Sequence, residues 1–195
     1  MSDILCVTSR VLCEENFLDR LDRIAAAEPA GIVLREKDLP LEEYISLARQ
    51  VLTICEKHGV RCILHTYPEA ALELGCSALH MPLHLLEEMP EDERGGFATL
   101  GASCHSVEDA IHARELGCGY IIAGHIFATQ CKAGLEPRGL DFLRAVCQAV
   151  SIPVYAIGGI SPQNVAQIRA AGAAGACVMS GLMRCEDPSE LIASF

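Results

Sequence analysis

The run Gly124-His125-Ile126-Phe127-Ala128-Thr129-Gln130-Cys131-Lys132 places an imidazole, a thiol and an ammonium directly behind the apolar segment Tyr120-Ile121-Ile122-Ala123. An imidazole titrates near pH 6.5 and can take up and return a proton at neutral pH, so His125 is the candidate acid/base. A second chemistry is written in glycines. Gly158-Gly159 and Ser180-Gly181 each follow a short apolar run, where small residues let backbone N–H groups approach an anion at a helix start; the alternative is that they only shape tight turns. Arg35 and Lys37, in Leu34-Arg35-Glu36-Lys37, add a cationic fork and a point charge suited to a carboxylate or phosphate, or else form a solvated charged loop.

These residues need a scaffold that brings loop ends together. Apolar runs at 4–8, 31–35, 60–65, 77–81, 98–103, 119–124, 153–157 and 175–179 read as strands. Helical patterns fall between them at 14–27, 40–58, 68–74, 83–88, 106–116, 139–149 and 161–171, with a short last one from about 188. Eight such repeats without a break in composition predict an α/β protein, a single (β/α)8 TIM barrel over residues 1–195. Its strand ends would form one mouth collecting Thr8, Arg35, Lys37, His65, His80, Cys104, His105, His125 and the two glycine-bearing loops. Pro40 and Ser161-Pro162 fit helix starts, and Gly59, Gly75, Gly117 and Gly172 fit helix ends. The acidic, Pro- and Gly-containing stretch 87–96 reads as a solvated connection.

A chain of 195 residues with 51% hydrophobic content suffices for one buried core. The net charge of −11 with only 15 Lys+Arg argues against nucleic-acid binding, which rests on clustered cations. No apolar run approaches the roughly 20 residues that span a bilayer, and Met1-Ser2-Asp3-Ile4 lacks a basic leader, so a cytoplasmic protein without a membrane partner is expected. The 11 cysteines are odd in number, lack a Cys-x-x-Cys pair and mostly sit in apolar segments, which suits buried thiols in a reduced compartment. Two other readings stay open: His65, His80, His105 and His125 could hold zinc, and Cys104 or Cys131 could be a nucleophile.

In combination, the 124–139 loop, Ala156-Ile157-Gly158-Gly159-Ile160 and Met179-Ser180-Gly181 resemble the thiamin phosphate synthase/TenI superfamily over nearly the whole chain. The resemblance implies that Gly158, Gly159, Ser180 and Gly181 bind phosphate and that Arg35, Lys37 and Lys132 meet the substrate's anionic end, with Cys131 replacing a threonine usual in the synthases. Gly-His at 124–125 is similar to the TenI branch, where the synthases carry Gly-Pro. The expectation is therefore a thiazole tautomerase-like isomerase of thiamin biosynthesis, aromatising a carboxythiazole ethyl phosphate through His125, with no metal and no cofactor. The alternatives are a magnesium-dependent thiamin phosphate synthase and a noncatalytic or regulatory phosphate-ligand binder. Synthases hold their ion with an Asn-Asp pair after the third strand and an Asp after the fourth, where this chain has His65-Thr66 and no carboxylate before Glu87. The expected partner is a small-molecule phosphate ester, with a homodimer left open.

Overall fold

The computed structural model describes residues 2–195. Eight parallel strands follow one another in the order β1 to β8 as a closed barrel: β1 Ile4–Val7, β2 Gly31–Leu34, β3 Cys62–His65, β4 Ala78–Pro82, β5 Thr99–Cys104, β6 Tyr120–Gly124, β7 Val154–Ile157 and β8 Gly175–Val178. The architecture is thus the (β/α)8 barrel that the alternation predicts. The helices are α1 Phe17–Ala26, α2 Leu41–His58, α3 Pro68–Glu73, α4 Leu83–Glu88, α5 Glu91–Arg94, α6 Val107–Glu115, α7 Gly139–Ala149, α8 Val165–Ala170, α9 Ser180–Arg184 and α10 Pro188–Ala193.

The chain packs as two compact units, one running to Leu79 and taking in Val178–Phe195, the other His80–Cys177. In the first unit, β1 pairs with β2 and β2 with β3, and all four residues of each strand are buried, as expected of short apolar strands covered on both faces. Helix α1 buries Leu21, Ile24 and Ala25, the i, i+3, i+4 stripe of an amphipathic helix. Asn16 starts it by accepting from the N–H groups of Leu18 and Asp19. The buried Arg20 on the same helix donates to the Cys185 carbonyl at 2.7 Å, which ties α1 to the segment between α9 and α10. Helix α10 is short but capped, with Asp187 accepting from Ser189 and Glu190 N–H groups and Pro188 in the first turn.

In the second unit β5, β6, β7 and β8 pair in sequence. Two boundaries differ from the sequence reading. Ser161-Pro162 does not open α8: the Ser161 carbonyl accepts from the N–H groups of Asn164 and Val165, so a turn precedes the helix, which begins at Val165. The 87–96 connection contains one helical turn, α5, whose three leading acids Glu91, Asp92 and Glu93 complement the N-terminal end of its dipole.

Candidate functional site

In the first unit the site residues hang on a buried carboxylate. Glu36 is only 3% exposed. Its Oε1 accepts from the Thr8 hydroxyl at 2.7 Å, and both oxygens accept from the Arg10 N–H, at 3.1 and 3.0 Å. The Thr8 oxygen in turn accepts from the Arg35 N–H at 2.9 Å, so the loops after β1 and β2 are locked together. Burial pushes the Glu36 carboxyl above its usual range, against the Thr8 hydroxyl and Arg10 N–H, which pull it down. Arg35 is half-buried beside this lock, and Lys37 is exposed.

The next strand end is held by a tyrosine. The Tyr44 hydroxyl donates to the Leu34 carbonyl at 2.7 Å and accepts from the His65 N–H at 2.9 Å, joining the ends of β2 and β3 from within α2. His65 is buried, its Nδ1 lies in hydrogen-bond contact with the Thr66 hydroxyl, and Thr66 has a φ of 75°, rare for a β-branched residue. At the end of β8, Ser180 begins α9, so its first-turn N–H groups have no intrahelical acceptor.

The second unit carries a chain of three hydrogen-bonded side chains. His80 is 1% exposed. Its Nδ1 is 3.0 Å from the Tyr120 hydroxyl and its Nε2 is 2.9 Å from the Ser103 hydroxyl. Tyr120 lies over Gly101, its register partner on β5, where a Cβ would come within 2.2 Å of the ring. Directly after β5, the exposed His105 sets its Nδ1 2.9 Å from the Gly124 carbonyl, while Asp109 accepts from its backbone N–H at 2.6 Å.

His125 is half-buried, with Nε2 3.4 Å from the Leu135 carbonyl. Its Cβ backs onto Gly158, where an added Cβ would meet it at 2.3 Å, and Gly159 is backed as closely by the Ala128 carbonyl at 2.5 Å. Both glycines have positive φ, so close approach of the 125–128 segment is by itself a reason for them. Lys132 ends a solvent-exposed turn, Gln130–Lys132, well out on the same loop. The structure thus brings His125, Gly158 and Gly159 together, with Lys132 further out. Sequence reasoning gave no role to Glu36, Tyr44, Ser103 or Tyr120; the one available signal was an acid between two cations at a strand end.

Among the described residues, neither cysteine alternative has an acid/base side chain in hydrogen-bond contact; the Cys104 thiol donates to the Ala102 carbonyl. Cys104 is buried and its thiol is pushed up to about 12, chiefly by burial, which leaves no thiolate at neutral pH. Cys131 is exposed on the turn that ends at Lys132. Among the described residues no three His, Cys, Asp or Glu side chains are grouped to hold a metal ion.

The magnesium ion that the synthase resemblance implies was tested against the donors present. A hard, six-coordinate cation calls for carboxylates and other oxygens. The end of β3 offers an imidazole and a hydroxyl already bonded to each other, and at β4 both nitrogens of His80 are taken by hydroxyls. The residues do not fit that ion.

Comparison with known proteins places these features in a family. A protein of Symbiobacterium thermophilum named thiamine biosynthesis bifunctional protein ThiM/ThiE is 36% identical over 176 residues, covering 87% of this chain, which spans 36% of that longer protein. The thiamine-phosphate synthase of Caldivirga maquilingensis is 34% identical over 167 residues, covering 84% of this chain and 80% of its own. The solved thiamine phosphate pyrophosphorylase from Pyrococcus furiosus superposes with a TM-score of 0.84 at 24% identity, covering 98% of this chain and 92% of that one, and supports the fold. These names correct the tautomerase expectation, which leaned on Gly124-His125 and on the missing carboxylates after β3 and β4, against similarity spread over the chain. The family model described as thiamine monophosphate synthase matches residues 4–182, and the chain belongs to that family, as its combined loop motifs led one to expect.

Proposed function

We propose that the chain is a thiamine-phosphate synthase, a transferase that joins a pyrimidine diphosphate to a thiazole phosphate. The observation that carries this reading is the similarity, at 34% identity over most of both chains, to a protein of that name. The thiazole nitrogen forms a bond to the exocyclic methylene carbon of the pyrimidine, and the carbon–oxygen bond to the diphosphate breaks, its electron pair leaving with the diphosphate. No net proton is moved.

The chemical demand on the protein is therefore placement and stabilisation of negative charge on the leaving group. Arg35 and Lys37 are the cations assigned to the diphosphate, and the Glu36 lock on Thr8 and the Arg10 N–H supports their loop. Lys132, exposed on its turn, is assigned to an anionic group of the substrate. The backbone N–H groups of Gly158 and Gly159 in the second unit, and those of Ser180 and Gly181 in the first, are each assigned to phosphate. His125 moves no proton in this reaction; its part is to back the Gly158 turn.

No step is routed through a metal ion, because the donors at the ends of β3 and β4 do not fit one. The test is to incubate the pure protein with both substrates, with magnesium and separately with a chelator, and to separate the products chromatographically. Thiamin phosphate in either arm supports the reading. Its absence from both, with the thiazole phosphate still bound, would leave a noncatalytic binder.

A further inference from the structure

The segment 125–138 between β6 and α7 carries His125, Cys131 and Lys132, and from Gln130 to Arg138 every residue is exposed. Such a stretch keeps a defined place only if its root is held. Its two legs are joined by backbone bonds, from the Arg138 N–H to the His125 carbonyl at 3.0 Å and from the Gly139 N–H to the Ile126 carbonyl at 3.1 Å. On the β7 side the bonding runs on past the pairing of Gly124 with Ile157: the Ile126 N–H donates to the Ile157 carbonyl at 2.9 Å and the Phe127 N–H to the Gly158 carbonyl at 3.0 Å. On the β5 side the register stops one pair earlier, at Cys104 and Ala123. There the next bond is made by a side chain, with His105 Nδ1 2.9 Å from the Gly124 carbonyl.

A carbonyl oxygen only accepts, so the hydrogen of this bond sits on Nδ1 and the ring's tautomer follows from its partner. The imidazolium also carries a hydrogen on Nδ1, so the bond persists when the ring is protonated. His105 is itself anchored. Its backbone N–H donates to the Asp109 carboxylate at 2.6 Å, and the same carboxylate accepts from the Ser106 hydroxyl at 2.8 Å at the start of α6. The first turn of α6, the imidazole and the Gly124 carbonyl are therefore bonded in sequence, up to the root of the 125–138 segment. What the imidazole sets is the direction in which the chain leaves β6.

We propose that His105 is a positioning residue whose Nδ1–H, by donating to the Gly124 carbonyl, sets the root of the 125–138 segment and so holds Lys132 in place for an anionic group of the substrate. This rests on the proposed synthase function only for the assignment of Lys132. In this role His105 touches no reacting atom, and its Nε2 is not required.

The experiment uses the full chain. The amide nitrogen of His105→Asn falls near the place of Nδ1 and can donate to the carbonyl, that of His105→Gln falls near Nε2, and His105→Ala offers neither. In long-range 1H–15N NMR spectra the neutral ring of the wild type should carry its hydrogen on Nδ1. Tryptic cleavage after Lys132, read by mass spectrometry, reports how often the segment opens. It should be roughly two- to fivefold faster in the alanine and glutamine variants, with one net hydrogen bond as the ceiling, and within about 1.5-fold of wild type in the asparagine variant. Calorimetric titration with inorganic pyrophosphate in the presence of a chelator should show affinity lost in the same variants by roughly two- to fivefold, because the segment must then be ordered on binding. In a Lys132→Ala background the further change His105→Ala should cost no more affinity, since the two residues act through one contact. That cycle carries the comparison should His105→Asn fold poorly.

A neutral His105 with its hydrogen on Nε2 would overturn the proposal, as would wild-type cleavage and affinity in His105→Ala. Restoration by glutamine instead of asparagine would do so too, by making Nε2 a direct contact of the anion. So would an undiminished loss in the Lys132→Ala background, or absence of pyrophosphate binding by the wild type. If tautomer, cleavage and affinities come out as expected but no thiamin phosphate forms from the two substrates, the synthase reading falls and this inference stands. If product forms while His105→Ala behaves as wild type, the inference falls alone.

Discussion

Glu36 in the first unit and Asp109 in the second both accept backbone N–H groups from a loop at a strand end, yet their carboxyls move in opposite directions. Glu36 is 3% exposed, and burial outweighs the Thr8 and Arg10 donors, so its carboxyl lies above its usual range. Asp109 is only partly covered. Burial pushes its carboxyl up too, but the His105 N–H and the Ser106 hydroxyl outweigh that and hold it below the usual range. The same hydrogen-bonding device changes sign with depth because the cost of desolvating a charge grows faster than the number of donors that can reach it.

The largest effect that tests this contrast is Glu36→Ala. It leaves the Thr8 hydroxyl and the Arg10 N–H without their acceptor in a buried place and opens a cavity, so the denaturation free energy should fall by about 3 kcal/mol. Arg35 loses its support at the same time, and the apparent KM for the diphosphate substrate should rise with the fold intact. A loss below about 1 kcal/mol would mean that depth does not make Glu36 special. Gly101→Ala probes the hydrogen-bonded network of the second unit. Its methyl would lie 2.2 Å from the Tyr120 ring, so the ring must move, with an expected cost of about 1–3 kcal/mol in denaturant unfolding. Asp109→Ala removes the side-chain half of the reciprocal cap of α6, the carboxylate that accepts from the His105 N–H at 2.6 Å and the Ser106 hydroxyl at 2.8 Å, and keeps the Asp109 N–H donating to the Ser106 oxygen; because the site is half in water, thermal unfolding should report only about 1 kcal/mol.

What could be read from the sequence follows the same division between pattern and depth. Strand positions are legible because short β-rich runs recur between helical periodicities, and no strand start or end in the structure lies more than two residues from the expected one. The turn at Ser161-Pro162 departs from the expected helix start because the side chain of Asn164, not that of Ser161, makes the local bonds: it accepts from the Ser161 N–H at 2.9 Å and donates to the Gly159 carbonyl at 2.8 Å. Arg35 and Lys37 were visible as cations in a chain with few of them. Glu36 between them reads as a solvated acid until Thr8, 28 residues away, is seen to close on it. His80 and Tyr120, 40 residues apart, share no local pattern at all, and only the β5–β6 register with Gly101 shows why a tyrosine can lie there. The isomerase expectation failed for a related reason. A single histidine after β6 specifies a reactive group but not the reaction, and its Cβ is accounted for by packing on Gly158.

The smallest effect, and the one that separates the two carboxylates most cleanly, is the pH dependence of stability. A carboxyl raised in the folded state, as at Glu36, binds its proton more tightly folded than unfolded. Its contribution is complete below the ordinary value of 4.5 and is lost as pH rises through the higher folded value. A carboxyl lowered in the folded state, as at Asp109, contributes above the ordinary value of 3.8 and loses that contribution as pH falls through the folded value. Glu36→Gln and Asp109→Asn remove each titration while keeping an oxygen acceptor. The stability of wild type minus Glu36→Gln should therefore decline as pH is raised from 4.5 toward neutrality. For Asp109→Asn the difference should stay flat over that interval and shrink only on acidification below about 4. Denaturant midpoints of the three proteins across this range measure both slopes. Slopes of the same sign would mean that burial does not decide the behaviour of these two groups, and the contrast between the units would then rest on hydrogen-bond geometry alone.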